Sequence, residues 1–153
     1  MSDSRFFVTD DELDINDITR LVFRREAGAV VTFTGTVREF THGRKTLFLR
    51  YQAYQSMAVK QLEKIGEEIE ERWSDAVVAI GHRTGKLEIS EIAVIIAVST
   101  PHRKDAYAAN EYAIERIKQI VPIWKQEQWE DGQEWIGDQL ETKAGVPEEG
   151  KTG

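Results

Sequence analysis

Two stretches of the chain repeat their apolar residues at steps of three and four. From Ser56 to Trp73 the apolar positions are Ala58, Leu62, Ile65, Ile69 and Trp73, with acids and lysines between them. That spacing predicts an amphipathic helix lying on a sheet. From Asp105 to Ile120 they are Ala106, Ala109, Ala113, Ile117 and Ile120, a second helix of the same kind. A shorter helix is expected over 14–22, with Asp14 as N-cap and Ile15, Ile18, Leu21 and Val22 facing inward. Elsewhere the period shortens. Ala29 to Arg38 is β-rich, apolar in its first half and ending in Arg38, while Leu47, Leu49, Tyr51 and Ala53 alternate with polar positions. These two runs are expected to pair as a β-hairpin whose long charged tip is Glu39 to Lys45. Ala76 to Arg83 and Glu91 to Ser99 are further strands, the second so uniformly apolar that both its faces should be covered. Gly85 to Glu88 lies between them. The order β, α, β, β, α, β, β, β, α, β predicts one α+β domain over 1–138, a mixed sheet with packed helices. Residues 139–153 have few large apolar side chains and are expected to form a flexible tail.

Two junctions concentrate the chemistry. In Lys118-Gln119-Ile120-Val121-Pro122-Ile123-Trp124-Lys125-Gln126-Glu127, Pro122 cannot donate into the helix ladder and biases Val121 away from helical dihedrals. The chain therefore leaves extended, with Lys118 on the last helical turn and Trp124 and Lys125 on opposite strand faces. Two amines distant in sequence become neighbours, and a like charge nearby moves a lysine toward the neutral amine that serves as base or nucleophile. Glu127, two residues after Lys125, falls on the same face and can orient it. In Ser99-Thr100-Pro101-His102-Arg103-Lys104-Asp105, Thr100 is a good N-cap and Pro101 suits the first helical position. The first turn then carries His102, Arg103 and Lys104 where the helix dipole favours acids, a pattern suited to holding a phosphate. Arg38 fits either an anion contact or a surface ion pair, and His82 and Arg83 fit either a site or the cap of a sheet edge.

Composition narrows the chemistry. The chain has 153 residues, enough to bury roughly 70% of its unfolded surface without staples. It contains no cysteine, which excludes a cysteine nucleophile, a persulfide carrier and a thiolate zinc site. No paired-histidine spacing or nucleotide-loop motif is present, so neither a metal nor a cofactor is expected. No run approaches the ~20 apolar residues of a membrane span, so a soluble cytoplasmic protein is expected. The formal net charge of −7 argues against a nucleic-acid or acidic-membrane surface. The segments Arg38 to Lys60 and His102 to Lys125 are locally basic, which suits a small anionic ligand.

With these residues in place, the chain resembles the large, catalytic subunit of molybdopterin synthase, the MoaE family. The resemblance is carried by Ala29 to Arg38, by Leu49-Arg50-Tyr51-Gln52-Ala53-Tyr54 with Met57-Ala58, and by His82-Arg83-Thr84-Gly85. It continues through Ser99-Thr100-Pro101-His102-Arg103 and Lys118 to Glu127, in unchanged order. It implies an α/β-hammerhead-like fold and transfer of two sulfurs to cyclic pyranopterin monophosphate, forming the dithiolene of molybdopterin. It implies, as sulfur donor, a small ubiquitin-like partner ending in a Gly-Gly thiocarboxylate, with the large subunit dimerising at the centre of a heterotetramer. A chain that need not hold sulfur itself fits the lack of cysteine. By the same resemblance, Thr36, Val37, Arg38, His102 and Arg103 are phosphate contacts, Lys118 and Lys125 are the active-site lysines, and Gln126 and Glu127 lie in the substrate pocket. The alternative from the residues alone is a non-catalytic anion-binding scaffold that docks an acidic partner tail.

Overall fold

The computed structural model describes residues 5–130 and 132–138; the expected C-terminal tail, 139–153, lies outside the described residues. The strands of the described residues form two sheets. The first contains β1 (Phe6–Thr9), β2 (Ala29–Thr36), β5 (Val77–Arg83) and β7 (Ile92–Thr100) in the order β1-β5-β7-β2. The second contains β3 (Phe40–Thr41), β4 (Arg44–Ala53), β8 (Ile123–Trp129) and β9 (Gly132–Asp138), with β6 (Gly85–Glu88) also paired to β4. Among the described residues, three helices complete the fold: α1 (Ile15–Arg20), α2 (Gln55–Arg72) and α3 (Arg103–Ile120). The fold is mixed α+β, as the residue pattern predicts.

Alternation along the central strands explains their uniform apolarity. Val78, Ile80, Val94, Ile96 and Val98 pack against Ala58, Leu62, Ile65 and Ile69 of α2 and Ala109, Ala113 and Ile117 of α3. Ala79, Ile95 and Ala97, one residue out of phase, pack on the other face against Leu13, Ile18 and Val22. Both faces of β7 are covered. The two long helices are clamped by Glu68, whose oxygens accept from Arg116 Nε at 2.9 Å, Arg116 Nη2 at 2.8 Å and the Tyr112 hydroxyl at 2.7 Å. Those hydrogen bonds, from Arg116 first, hold the Glu68 carboxyl down at about 2.

Four sequence expectations are corrected. The runs 29–38 and 47–53 do not form a hairpin: β2 pairs antiparallel with β7, and β4 with β6 and β8. The edge of β7 left open beside β5 needs a partner, and β2 supplies it. A small hairpin forms within the expected tip instead, Phe40–Thr41 on Arg44–Lys45, through His42 and Gly43 with φ of 52° and 81°. Two successive positive φ values are what a tight two-residue turn between twisted strands requires. Leu47 is 41% exposed and Thr46 is buried instead, because a bulge between Thr46 and Phe48 rephases the strand. Helix α1 is only six residues long and leaves Ile15 and Leu21 exposed, although Asp14 does cap it by accepting from the Asp17 amide at 2.9 Å. Thr100 does not cap α3. It ends β7 opposite Ala29, and its hydroxyl donates to the His102 carbonyl at 2.6 Å. His102, extended at φ −128° and ψ 145°, takes the N-cap position without a side-chain cap bond.

Candidate active site

The C-terminal end of α3 is built as the proline predicts. Val121 turns extended at φ −87° and ψ 124°, Lys118 stands exposed on the last helical turn, and β8 begins at Ile123. Alternation then places Lys125, Glu127 and Trp129 on one face of β8. Lys125 Nζ lies 3.5 Å from Glu127 Oε2, and Trp129 Nε1 donates to Glu127 Oε1 at 2.7 Å. Across the ladder Tyr51 sits opposite Lys125 and Leu49 opposite Glu127. Tyr51 is pushed up to about 12, mainly by burial and then by the Glu127 charge, so it remains a neutral hydroxyl at neutral pH. Its ring meets that of His82 edge-on, with centroids 5.2 Å apart. His82 lies buried inside β5, neither an edge cap nor an exposed ligand, and its Nδ1 donates to the Arg83 carbonyl at 2.9 Å.

The other end of α3 differs. His102, Arg103 and Lys104 are exposed and line a groove of about 670 Å³ with Gly28, Ala29, Pro101 and Tyr107. At its wall the backbone of Gly28 packs closely on Pro101, since a Cβ there would lie 2.6 Å from the Pro101 carbonyl oxygen. Among the described residues, none of these three cations forms a side-chain ion pair.

Direction and length separate the two groups. Asn110, midway along α3, donates to the carbonyls of Val31 at 2.9 Å and Ile96 at 3.0 Å, so the helix folds back along the middle of β2 and β7. Its C-terminal end therefore points toward the Thr36 and Ile92 end of that strand pair, and its N-terminal end toward Ala29 and Thr100. Val37, buried, carries the chain out of β2 through bonds with Glu91 and Ser90, and the Arg38 guanidinium Nε donates to Thr41 Oγ1 at 3.3 Å. Arg103 and Lys118 are fifteen positions apart on one helix, or ~22 Å at 1.5 Å per residue. The chain brings Lys125 and Glu127 together on one face of β8, leaves Gln126 buried on the opposite face, and sends Lys118, Thr36, Val37 and Arg38 toward the same end of α3. It leaves His102 and Arg103 at the far end.

A family model described as MoaE protein matches residues 8–120 of the chain. The chain belongs to the MoaE protein family. A molybdopterin synthase catalytic subunit from Bacillus subtilis is 62% identical over 140 residues, covering 92% of this chain and 89% of that protein. The crystal structure of molybdopterin synthase from Staphylococcus aureus superposes with a TM-score of 0.85 at 55% identity, over 87% of this chain and 97% of that one. A protein–protein complex of subunits 1 and 2 of molybdopterin-converting factor from Helicobacter pylori contains a chain with a TM-score of 0.69 at 19% identity. That match covers 86% of this chain and 89% of that one, and shares the fold.

Two residues around the Lys125–Glu127 pair of this MoaE chain lie outside its expected site residues. Tyr51 is recognisable as a neighbour of Lys125 only once the β4–β8 register is known. Trp129 follows the same i, i+2 rule that places Glu127 beside Lys125 and was within reach of the sequence.

Proposed function

We propose that this chain is the catalytic subunit of a molybdopterin synthase, moving sulfur from the C-terminal thiocarboxylate of a small ubiquitin-like partner onto cyclic pyranopterin monophosphate. The observation that carries the reading is a pair of lysines flanking the end of α3 in a chain without cysteine, one exposed and one held by a buried carboxylate. A thiocarboxylate sulfur is an anionic nucleophile. Its attack on an electrophilic substrate carbon forms a C–S bond as a C–O bond of that carbon breaks, the oxygen taking the electron pair and a proton, and leaves the carrier joined as a thioester. Water then opens the acyl–sulfur bond, returning the carrier as a carboxylate and leaving sulfur on the substrate. Lys118 suits work at the reacting atoms, as acid and base or as a transient nucleophile, because it is exposed at the helix end. Lys125, fixed by Glu127, suits electrostatic support of the anionic carrier end and of charge developing on the substrate.

The separation along α3 bears on how the site is assembled. A single small substrate cannot touch Arg103 and Lys118 of one chain across ~22 Å. Both groups serve one reaction if a second copy supplies the cationic helix start, which supports the expected homodimer at the centre of a heterotetramer.

The decisive measurement is dithiolene formation by the purified chain with precursor and a thiocarboxylated small partner. K118A is expected to lower turnover about a thousandfold, the scale of losing a positioned acid–base group, while binding the partner normally. Near-normal turnover in K118A removes that lysine from the mechanism. A wild-type chain that binds the partner yet forms no product is a scaffold.

A further inference from the structure

We propose that Trp129 is a positioning residue for Lys125, acting through Glu127. The inference rests on the sulfur-transfer reading and extends it to a side chain outside the expected substrate contacts. Glu127 is a buried carboxylate, 7% exposed, and its two oxygens are divided between partners. Oε2 faces Lys125 Nζ at 3.5 Å and Oε1 accepts from the Trp129 indole at 2.7 Å.

The division matters because the terminal torsion of a glutamate is soft and roughly two-fold, so a carboxylate held only by a distant ammonium turns easily. A hydrogen bond to a charged acceptor is short and directional and sets the plane of the carboxylate. The indole N–H is a donor only, so it offers Glu127 the same partner in every protonation state of the site. At 3.5 Å the ammonium is paired with Oε2 without being tightly hydrogen-bonded, which leaves its protons available for a ligand.

Trp129 is itself held in place. It is 9% exposed, and the Arg44 guanidinium lies 3.6 Å from its ring centroid. Across the ladder the bulge sets Thr46 opposite Trp129 in place of the larger Leu47, which is turned outward. The bulge, the cation over the ring and the N–H to Glu127 all serve one orientation. A tryptophan that merely filled space would need none of them, although a buried indole usually finds some acceptor.

The test is W129F in the full chain with its small partner. The phenylalanine keeps the ring and deletes the donor. Turnover is expected to fall about tenfold, the rate equivalent of one charge-assisted hydrogen bond, with KM changed by less than about twofold because uniform binding is untouched. In an E127Q background the same change should cost nothing further, since its effect passes through the carboxylate. Equal losses in both backgrounds, or unchanged kcat in W129F, overturn the proposal. A spectroscopic arm needs neither substrate nor a folded W129F: the chain has four tryptophans, and E127Q should shift one indole N–H resonance strongly while leaving three in place. Four unmoved indole signals overturn the proposal as well. If wild-type chain forms no product, the sulfur-transfer reading falls and this inference falls with it; if wild type is active and W129F equals it, only the inference falls.

Discussion

The two ends of α3 carry cations in opposite ways. At the start, His102, Arg103 and Lys104 project from an uncapped turn into a shallow groove, exposed and, among the described residues, without side-chain ion pairs. Past the finish, Lys125 sits on the strand that follows the helix, its side chain 30% exposed, with a buried glutamate paired to it and a buried indole bonded to that glutamate. Loose cations at a helix start gather an anion by field and exposed amides, at little cost in precision. A fixed amine holds geometry where charge develops. The difference teaches that the basic residues of this chain fall into two arrangements, a loose one suited to capture and a built one suited to chemistry, the first at the start of α3 and the second just past its end.

Complementation breaks or establishes that division most sharply. K118A and R103A copies are each expected to be impaired, K118A by about a thousandfold. If each site combines the helix start of one copy with the helix end of the other, co-expression yields mixed dimers in which one site of two is intact. With substrate well below KM, where R103A alone keeps about a tenth of the wild-type rate, random pairing then restores about a quarter, because half the dimers are mixed. Turnover that stays at the level of the better single variant means that the two ends never meet in one site. R103A alone should act as a capture defect, raising KM about tenfold with a smaller change in kcat and flattening the dependence of kcat/KM on salt. A fall in kcat with KM unchanged would place Arg103 in the chemistry and erase the distinction.

The sequence made much of the finishing end legible. Pro122 ends the helix, and a period of two sets Lys125 and Glu127 on one face, as their 3.5 Å contact bears out. The burial of β7 on both faces was equally plain from its uniform apolar run. Strand pairing was not, because the partner of β2 is decided by β7, more than fifty residues later, and local alternation carries no information about it. The start of α3 was misplaced for a related reason: pairing of Thr100 with Ala29 keeps that residue in the ladder and moves the cap to His102. Strict alternation points Leu47 inward, and the bulge, which alternation does not register, turns it out. The separation of Arg103 from Lys118, by contrast, needed only the rise of a helix.

His82 tests whether the finishing end is tied to the core while the starting end is not. Its ring is 3% exposed inside β5, packs edge-on against Tyr51, and Tyr51 in turn faces Lys125 across the ladder. Burial pulls the imidazole down to about 4 from its usual 6.5, outweighing the Arg83 carbonyl that favours the protonated ring. Above pH 6.5 the ring is neutral both folded and unfolded, and its contribution to stability is complete. Between 6.5 and about 4 the unfolded chain takes up a proton that the folded chain refuses, so stability is lost as pH falls through that window. At pH 5 the loss amounts to about 2 kcal/mol. Urea unfolding at pH 7 and pH 5 measures it, and H82Q, which keeps a donor for the Arg83 carbonyl, should lose most of that difference. Hydrogen exchange at pH 5 should then rise in β4 and β5 ahead of the first turns of α3. A uniform rise across both ends would mean that the core couples them equally, and that the built end of the helix differs from the loose one only at its surface.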